Sequence, residues 1–217
     1  FHAAFGGRTK VKKTLLLATL LASGMAAPAM ANDLYFQMNP NLGSGARQAF
    51  IFGAANSAGT VTGASGFNQA FNLGVEGFAV IDLPYGDELS GGAVQDRGFK
   101  ISSTNNLSAY FLSRAPYTTD MTYVIDGSKL GTDYVVAGYR AGAADQMSVQ
   151  ATVDNTVVTF KPKGGAQFDV TLDAGQTYMH TANTNLSGSR VTSSAPVAVF
   201  SGNYCTNVPV GVSACDH

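Results

Sequence analysis

Ser148-Val-Gln-Ala-Thr-Val153, Asp154-Asn155, Thr156-Val-Val-Thr-Phe160 is the stretch whose reading decides the fold. Apolar and polar residues alternate on both sides of a two-residue break, which is the period of a strand and not of a helix. Asp-Asn tolerates positive φ, so the segment reads as a β-hairpin closed by a tight turn. The same signature spreads outward in both directions. Alternation, or enrichment in β-branched and aromatic residues, marks 49–52, 78–83, 107–112, 121–125 and 134–139 upstream, and 157–161, 168–172, 177–181 and 197–201 from the hairpin onward. Turn formers separate these runs, among them Pro84-Tyr-Gly-Asp87, Asp126-Gly-Ser128, Lys163-Gly-Gly165 and Asn185-Leu-Ser-Gly188. Beyond residue 31 no stretch keeps a helical period over three turns. Short strands at a spacing of about 8–12 residues predict an all-β fold, an antiparallel sandwich or propeller-like assembly.

A faint internal echo accompanies the pattern. Lys100-Ile-Ser-Ser-Thr-Asn-Asn-Leu-Ser-Ala-Tyr110 aligns without gaps with Arg190-Val-Thr-Ser-Ser-Ala-Pro-Val-Ala-Val-Phe200. Two similar β-units would leave such a trace; so would chance between Ser/Gly-rich strands. Each unit would have to bury a sheet face. Phe71, Phe99, Tyr110, Phe111, Phe160, Phe168, Val197, Val199 and Phe200 are the core candidates.

The amino-terminal residues carry an address. Lys10, Lys12 and Lys13 precede an apolar run from Leu15 to Met25 and an Ala29-Met-Ala31 cleavage signature, so 10–31 reads as a secretory signal cut between Ala31 and Asn32. The run is far shorter than the ~20 residues that span a bilayer. No later segment is long and apolar enough to do so, which predicts a chain without a transmembrane segment after cleavage. Residues 1–9 lie upstream of such a signal and read as out-of-gene sequence. Asp33-Leu-Tyr-Phe-Gln-Met38 is similar to a protease-cleavage scar, but its place directly after the signature favours a natural mature start. The short Ala-rich signal has a bacterial look.

Export fixes several expectations. Of the 13 Lys and Arg, four (Arg8, Lys10, Lys12, Lys13) leave with residues 1–31, so nine face 14 acids in 32–217. An acidic chain lacks the clustered cations that neutralise nucleic-acid phosphates. Two cysteines in an oxidising compartment point to a disulfide, Cys205 to Cys215, around Pro209 and Gly211; partners further along a longer chain are the alternative. Asn106-Leu-Ser and Asn185-Leu-Ser match the glycosylation pattern, a chance match in a bacterial host.

Catalytic chemistry is hard to place. Outside residues 1–31 the histidines are His180, in an alternating strand, and His217, and no Gly-x-Ser-x-Gly elbow occurs. Asp82, Asp87 and Glu88 around one turn, and Asp169 and Asp173 around another, are the carboxylates a glycosidase would need. Turn acids more often satisfy their own backbone or stay solvated. Their spacing matches no repeat-type calcium site, though a loop calcium site stays open. The reading is of a non-enzyme without cofactor.

Pro196-Val-Ala-Val-Phe-Ser-Gly202, Cys205, Asn207-Val-Pro209 and Ala214-Cys-Asp-His217, preceded by Thr132-Asp-Tyr-Val-Val136, Thr156-Val-Val-Thr-Phe160 and Gly175-Gln-Thr-Tyr178, resemble the amino-terminal domain of IgGFc-binding proteins. That family occurs in animal mucus proteins and bacterial secreted proteins. The similarity is densest over 186–217, moderate from about 133, and only stylistic over 32–130. It implies that 32–217 is one β-rich domain in which Cys-Asp-His lies internally, so that further strands follow. It also implies a secreted or cell-surface module that binds or adheres to an extracellular protein or glycan. Tyr85, Tyr117, Tyr139 and Tyr204, in or beside turns, are contact candidates, since tyrosine offers large area at small entropic cost; ordinary packing is the competing reading of each. A structural stalk or surface-layer module is the alternative function.

Overall fold

The computed structural model describes residues 32–217, and the expected signal, upstream segment and Ala31 lie outside them. Fifteen strands follow in order: β1 Asn32–Gln37, β2 Ala46–Gly53, β3 Ala58–Gly63, β4 Asn68–Asn72, β5 Phe78–Asp82, β6 Val94–Gln95, β7 Gly98–Ser103, β8 Leu107–Ala115, β9 Thr118–Asp126, β10 Gly131–Val135, β11 Asp145–Ala151, β12 Thr156–Lys161, β13 Phe168–Leu172, β14 Thr177–Ala182 and β15 Arg190–Asn203. They form two antiparallel sheets. The first runs β4-β3-β7-β1-β9-β8-β2-β5; the second runs β13-β12-β15-β11-β14-β6, with β10 also on β15.

Each sheet curls until its edges nearly meet, giving two barrel-like bodies. In the first, edge strands β4 and β5 are consecutive, joined by a turn in which Gly77 takes φ +71 and Gly53 N donates to Gly77 O at 3.0 Å. A side chain could not replace Gly77, because its Cβ would stand 2.7 Å from Gly53 O. In the second, edge strand β13 turns through Gly175 into β14 on the far side of the sheet. The expected all-β antiparallel assembly is therefore realised as paired barrels. Each encloses its own apolar cluster, with Phe36, Phe99 and Phe111 at the centre of one and Met147, Phe160 and Leu172 in the other.

The decisive stretch of sequence folds differently from the hairpin it suggests. Asn155 does take φ +56 in the tight turn. Yet β11 and β12 do not pair, because the long strand β15 lies between them. Its Val197–Asn203 half pairs with β11 and its Arg190–Ser193 half with β12. The 100/190 alignment also fails to match like with like: Lys100–Tyr110 crosses from β7 through a turn into β8, whereas Arg190–Phe200 lies in one strand. The strand expected over 134–139 ends at Val135. Asp33–Gln37 belongs to β1, a central strand with Leu34 and Phe36 fully buried, so this stretch is part of the fold. Among the core candidates, Tyr110 is the exception, 38% exposed on an outer face.

The barrels meet along a polar seam. All seven residues of β11 are buried. Met147, Val149 and Ala151 enter the second core, and the alternate residues Gln146, Ser148 and Gln150 face the first barrel. Ser148 Oγ donates to Asn39 Oδ1 at 2.5 Å and accepts from Gln37 Nε2 at 3.1 Å. Gln150 Nε2 donates to Phe99 O at 3.1 Å, and Gln146 Nε2 to Pro40 O at 3.3 Å. Such bonds contribute about 1 kcal/mol each but are costly to break when buried, so they fix the relative position of the barrels. The excursion between β5 and β7 straps them further, since β6 joins the second sheet beside β14.

Candidate protein-binding surface

At the far end of β15 the chain leaves the sheet and enters the segment closed by the Cys205–Cys215 disulfide, whose Cα atoms are 4.7 Å apart. The bond is reinforced by an antiparallel bridge in which Thr206 and Asp216 exchange both backbone hydrogen bonds, at 2.9 and 2.8 Å. Ala214 N donates to Asn207 Oδ1 across the loop. The loop is thereby held in one shape without a core of its own, so its apolar residues point outward. Val208, Val210 and Val212 are 47%, 71% and 50% exposed.

A buried polar relay beneath the loop orients it. Asp145, fully buried on β11, accepts from Leu186 N at 2.8 Å and from Asn203 Nδ2 at 3.0 Å. Asn203 also donates to Ala143 O, and its Oδ1 accepts from Cys205 N at 2.9 Å. The 136–144 connection lies alongside, with Ala143 N donating to Cys205 O and Ala141 N to Thr206 Oγ1. Tyr139 Oη accepts from Val210 N at 3.2 Å. Between loop and connection runs an open groove of about 330 Å³, walled by Tyr139, Asn203, Thr206, Val208 and Asp216.

The four tyrosines fall into two places. Tyr139 and Tyr204 belong to this surface, one walling the groove and the other preceding Cys205. Tyr85 lies on the first barrel, where the Arg47 guanidinium sits 5.1 Å from its ring centroid. Tyr117 is 98% exposed at the β8–β9 turn with φ +69.

The carboxylates of the two turns are engaged separately. Asp82 accepts from Gln48, Asp87 from Ser65, Glu88 from Arg47, and Asp169 from Thr159, while Asp173 accepts from Asn155 N. His180 packs against Phe168 with ring centroids 5.5 Å apart, and burial lowers its pKa below the ordinary 6.5. The sequence reading missed Arg47, whose side chain is fully buried against Glu88. Its parity with Ala49 and Ile51 on β2 is the signal that it points inward. It also did not single out Val208, Val210 and Val212, which the structure leaves exposed on the loop.

The described residues thus form a two-barrel β-domain that carries an apolar, disulfide-tied loop on its surface. Comparison places it more narrowly. Residues 120–217 match the family model described as IgGFc binding protein, so the resemblance read from the sequence is shown over that segment. A 144-residue alignment is 28% identical to the IgGFc-binding protein of Homo sapiens, covering 60% of this chain and 3% of that relative. The chain thus spans a small fraction of its relative's length. The names describe binding proteins and no enzyme. Among the described residues no helix is long and apolar enough to cross a membrane.

Proposed function

We propose that this chain is an exported, non-catalytic binding or adhesion module whose partner is an extracellular protein, engaged through the Cys205–Cys215 loop and the groove beside it. The carrying observation is the outward presentation of Val208, Val210 and Val212 from a loop closed by a disulfide and a β-bridge. Exposed apolar groups on a preordered loop gain burial on binding while losing little entropy. The loop lies inside the family-matched segment. The reading of residues 10–31 as an export signal and the disulfide together support secretion or display at the cell surface. The Fc ligand in the relative's name is one probe among others. A glycan partner would need flat aromatic faces and hydrogen-bonding groups along the groove, where Tyr139 offers one ring.

The test is binding of the exported chain to an array of extracellular proteins, including immunoglobulin G Fc, and of glycans, with Val210→Asp/Val212→Asp as the control. Saturable binding to a protein, lost at least tenfold in a folded double variant, is the expected result. Saturable binding to glycans alone, or no binding at all, would contradict the proposal.

A further inference from the structure

The outer face of β5, β2, β8 and β9 presents an apolar ladder on the barrel that does not carry the disulfide loop. Register places Phe52 beside Phe78, Phe50 between Val80 and Tyr110, Tyr110 beside Tyr123, and Leu112 beside Met121. Phe52, Phe78, Val80, Tyr110, Met121, Tyr123 and Ile125 are each 38–49% exposed. With large side chains of about 150–250 Å² each, that exposure amounts to on the order of 600 Å² of contiguous apolar surface. The largest patch on an ordinary monomer is about 300–600 Å², so this face stands at the upper limit of what a solitary chain leaves uncovered.

We infer that this face is covered by the same face of a second copy of the chain. Two such faces remove about 1,200 Å², which reaches the range of a stable, specific interface. Antiparallel faces of this kind stack across a two-fold axis with aligned strands about 10 Å apart, each residue meeting the partner's equivalent set. Charge favours the copy as well. The described chain is acidic, yet the outward positions of these four strands hold one acid, Asp82, and one base, Arg114, so two acidic chains meet where repulsion is least. The rings make an uneven face: Phe52 and Tyr110 stand edge to face at 84° and Tyr110 and Tyr123 at 71°, while Phe52 and Phe78 lie nearly parallel at 23°.

Sedimentation velocity on the exported chain from about 1 to 100 µM tests this, with Tyr123→Glu and Val210→Asp compared side by side and circular dichroism confirming the fold. The expected result is a reversible dimer whose dissociation constant rises at least tenfold in Tyr123→Glu and is unchanged in Val210→Asp. Met121→Lys, nearer the rim of the face, serves as the second variant should Tyr123→Glu fail to fold. A monomer at 100 µM overturns the inference. So does a dimer that survives both face variants, or one broken by Val210→Asp.

Discussion

Replacing Arg47 by Leu should be among the most damaging single changes available in the first barrel. The Arg47 side chain is fully buried and its Glu88 partner is 11% exposed. Arg47 also donates to three backbone carbonyls, those of Ala46, Arg114 and Gly43, at 3.1, 3.2 and 3.4 Å. Burial already pushes the Glu88 carboxyl above its ordinary pKa, and the hydrogen bond and charge of Arg47 offset part of that push. Arg47→Leu keeps the volume but leaves a desolvated carboxyl without its counter-charge and withdraws the donors from three carbonyls. Breaking one side of a buried pair costs about 3–5 kcal/mol, and the leucine recovers little of it because the site is built of polar atoms. Arg47→Leu/Glu88→Met removes both charges, so its cost should fall short of the sum of the two single costs by at least about 1.5 kcal/mol. Urea unfolding followed by tyrosine fluorescence and circular dichroism gives the cycle. Costs below about 1 kcal/mol for Arg47→Leu, or additive single and double variants, would refute the view that this pair pins the excursion carrying Glu88 onto β2.

Removing the disulfide as Cys205→Ser/Cys215→Ser should lower stability by about 2–3 kcal/mol by the loop-entropy relation, and should raise hydrogen exchange over 205–216 while leaving β1 to β9 unchanged. Unaltered exchange in the loop would show that the Thr206–Asp216 bridge alone orders it. Acid should weaken the fold through His180 and His217, both held below the usual histidine pKa by burial. The unfolded chain then takes up the proton more readily, so stability that is full above pH 6.5 is lost as pH falls through the lower folded values. A melting temperature that rises between pH 7 and 5.5, or a His180→Gln variant with an unchanged pH profile, would contradict this. Gly98→Ala should cost about 1–3 kcal/mol, since its Cβ would lie 2.4 Å from Gly175 O and 2.5 Å from Gln150 Nε2, where the barrels meet. Wild-type thermal stability in that variant would argue against a tightly closed seam.

Local alternation carried most of the β reading, because a strand with one buried face writes its period into the sequence; β8, with Leu107, Ala109, Phe111, Ser113 and Ala115 buried in alternation, is the plainest case. Pairing was another matter. Asp154-Asn155 specified its turn, but whether β12 returns along β11 depends on β15, some forty residues away, and no local residue records that. Strands β3 (Ala-Gly-Thr-Val-Thr-Gly) and β4 (Asn-Gln-Ala-Phe-Asn) were invisible because each buries one large residue, Val61 or Phe71, and takes the rest of its stability from its neighbours. On β11, Gln146, Ser148 and Gln150 look like a solvated face and are buried in the seam; a polar residue facing water and one facing another barrel look the same in sequence. The binding surface was half legible. The cysteine pair and Tyr139 and Tyr204 stood out, whereas Val208, Val210 and Val212 were not singled out. The closed loop is what brings them to the surface.

Hydrogen–deuterium exchange on the chain with and without its bound protein partner tests the binding claim most directly. The account expects protection confined to 137–143 and 203–216, the two segments that frame the groove. Protection centred elsewhere, with those segments exchanging as in the free chain, would contradict it.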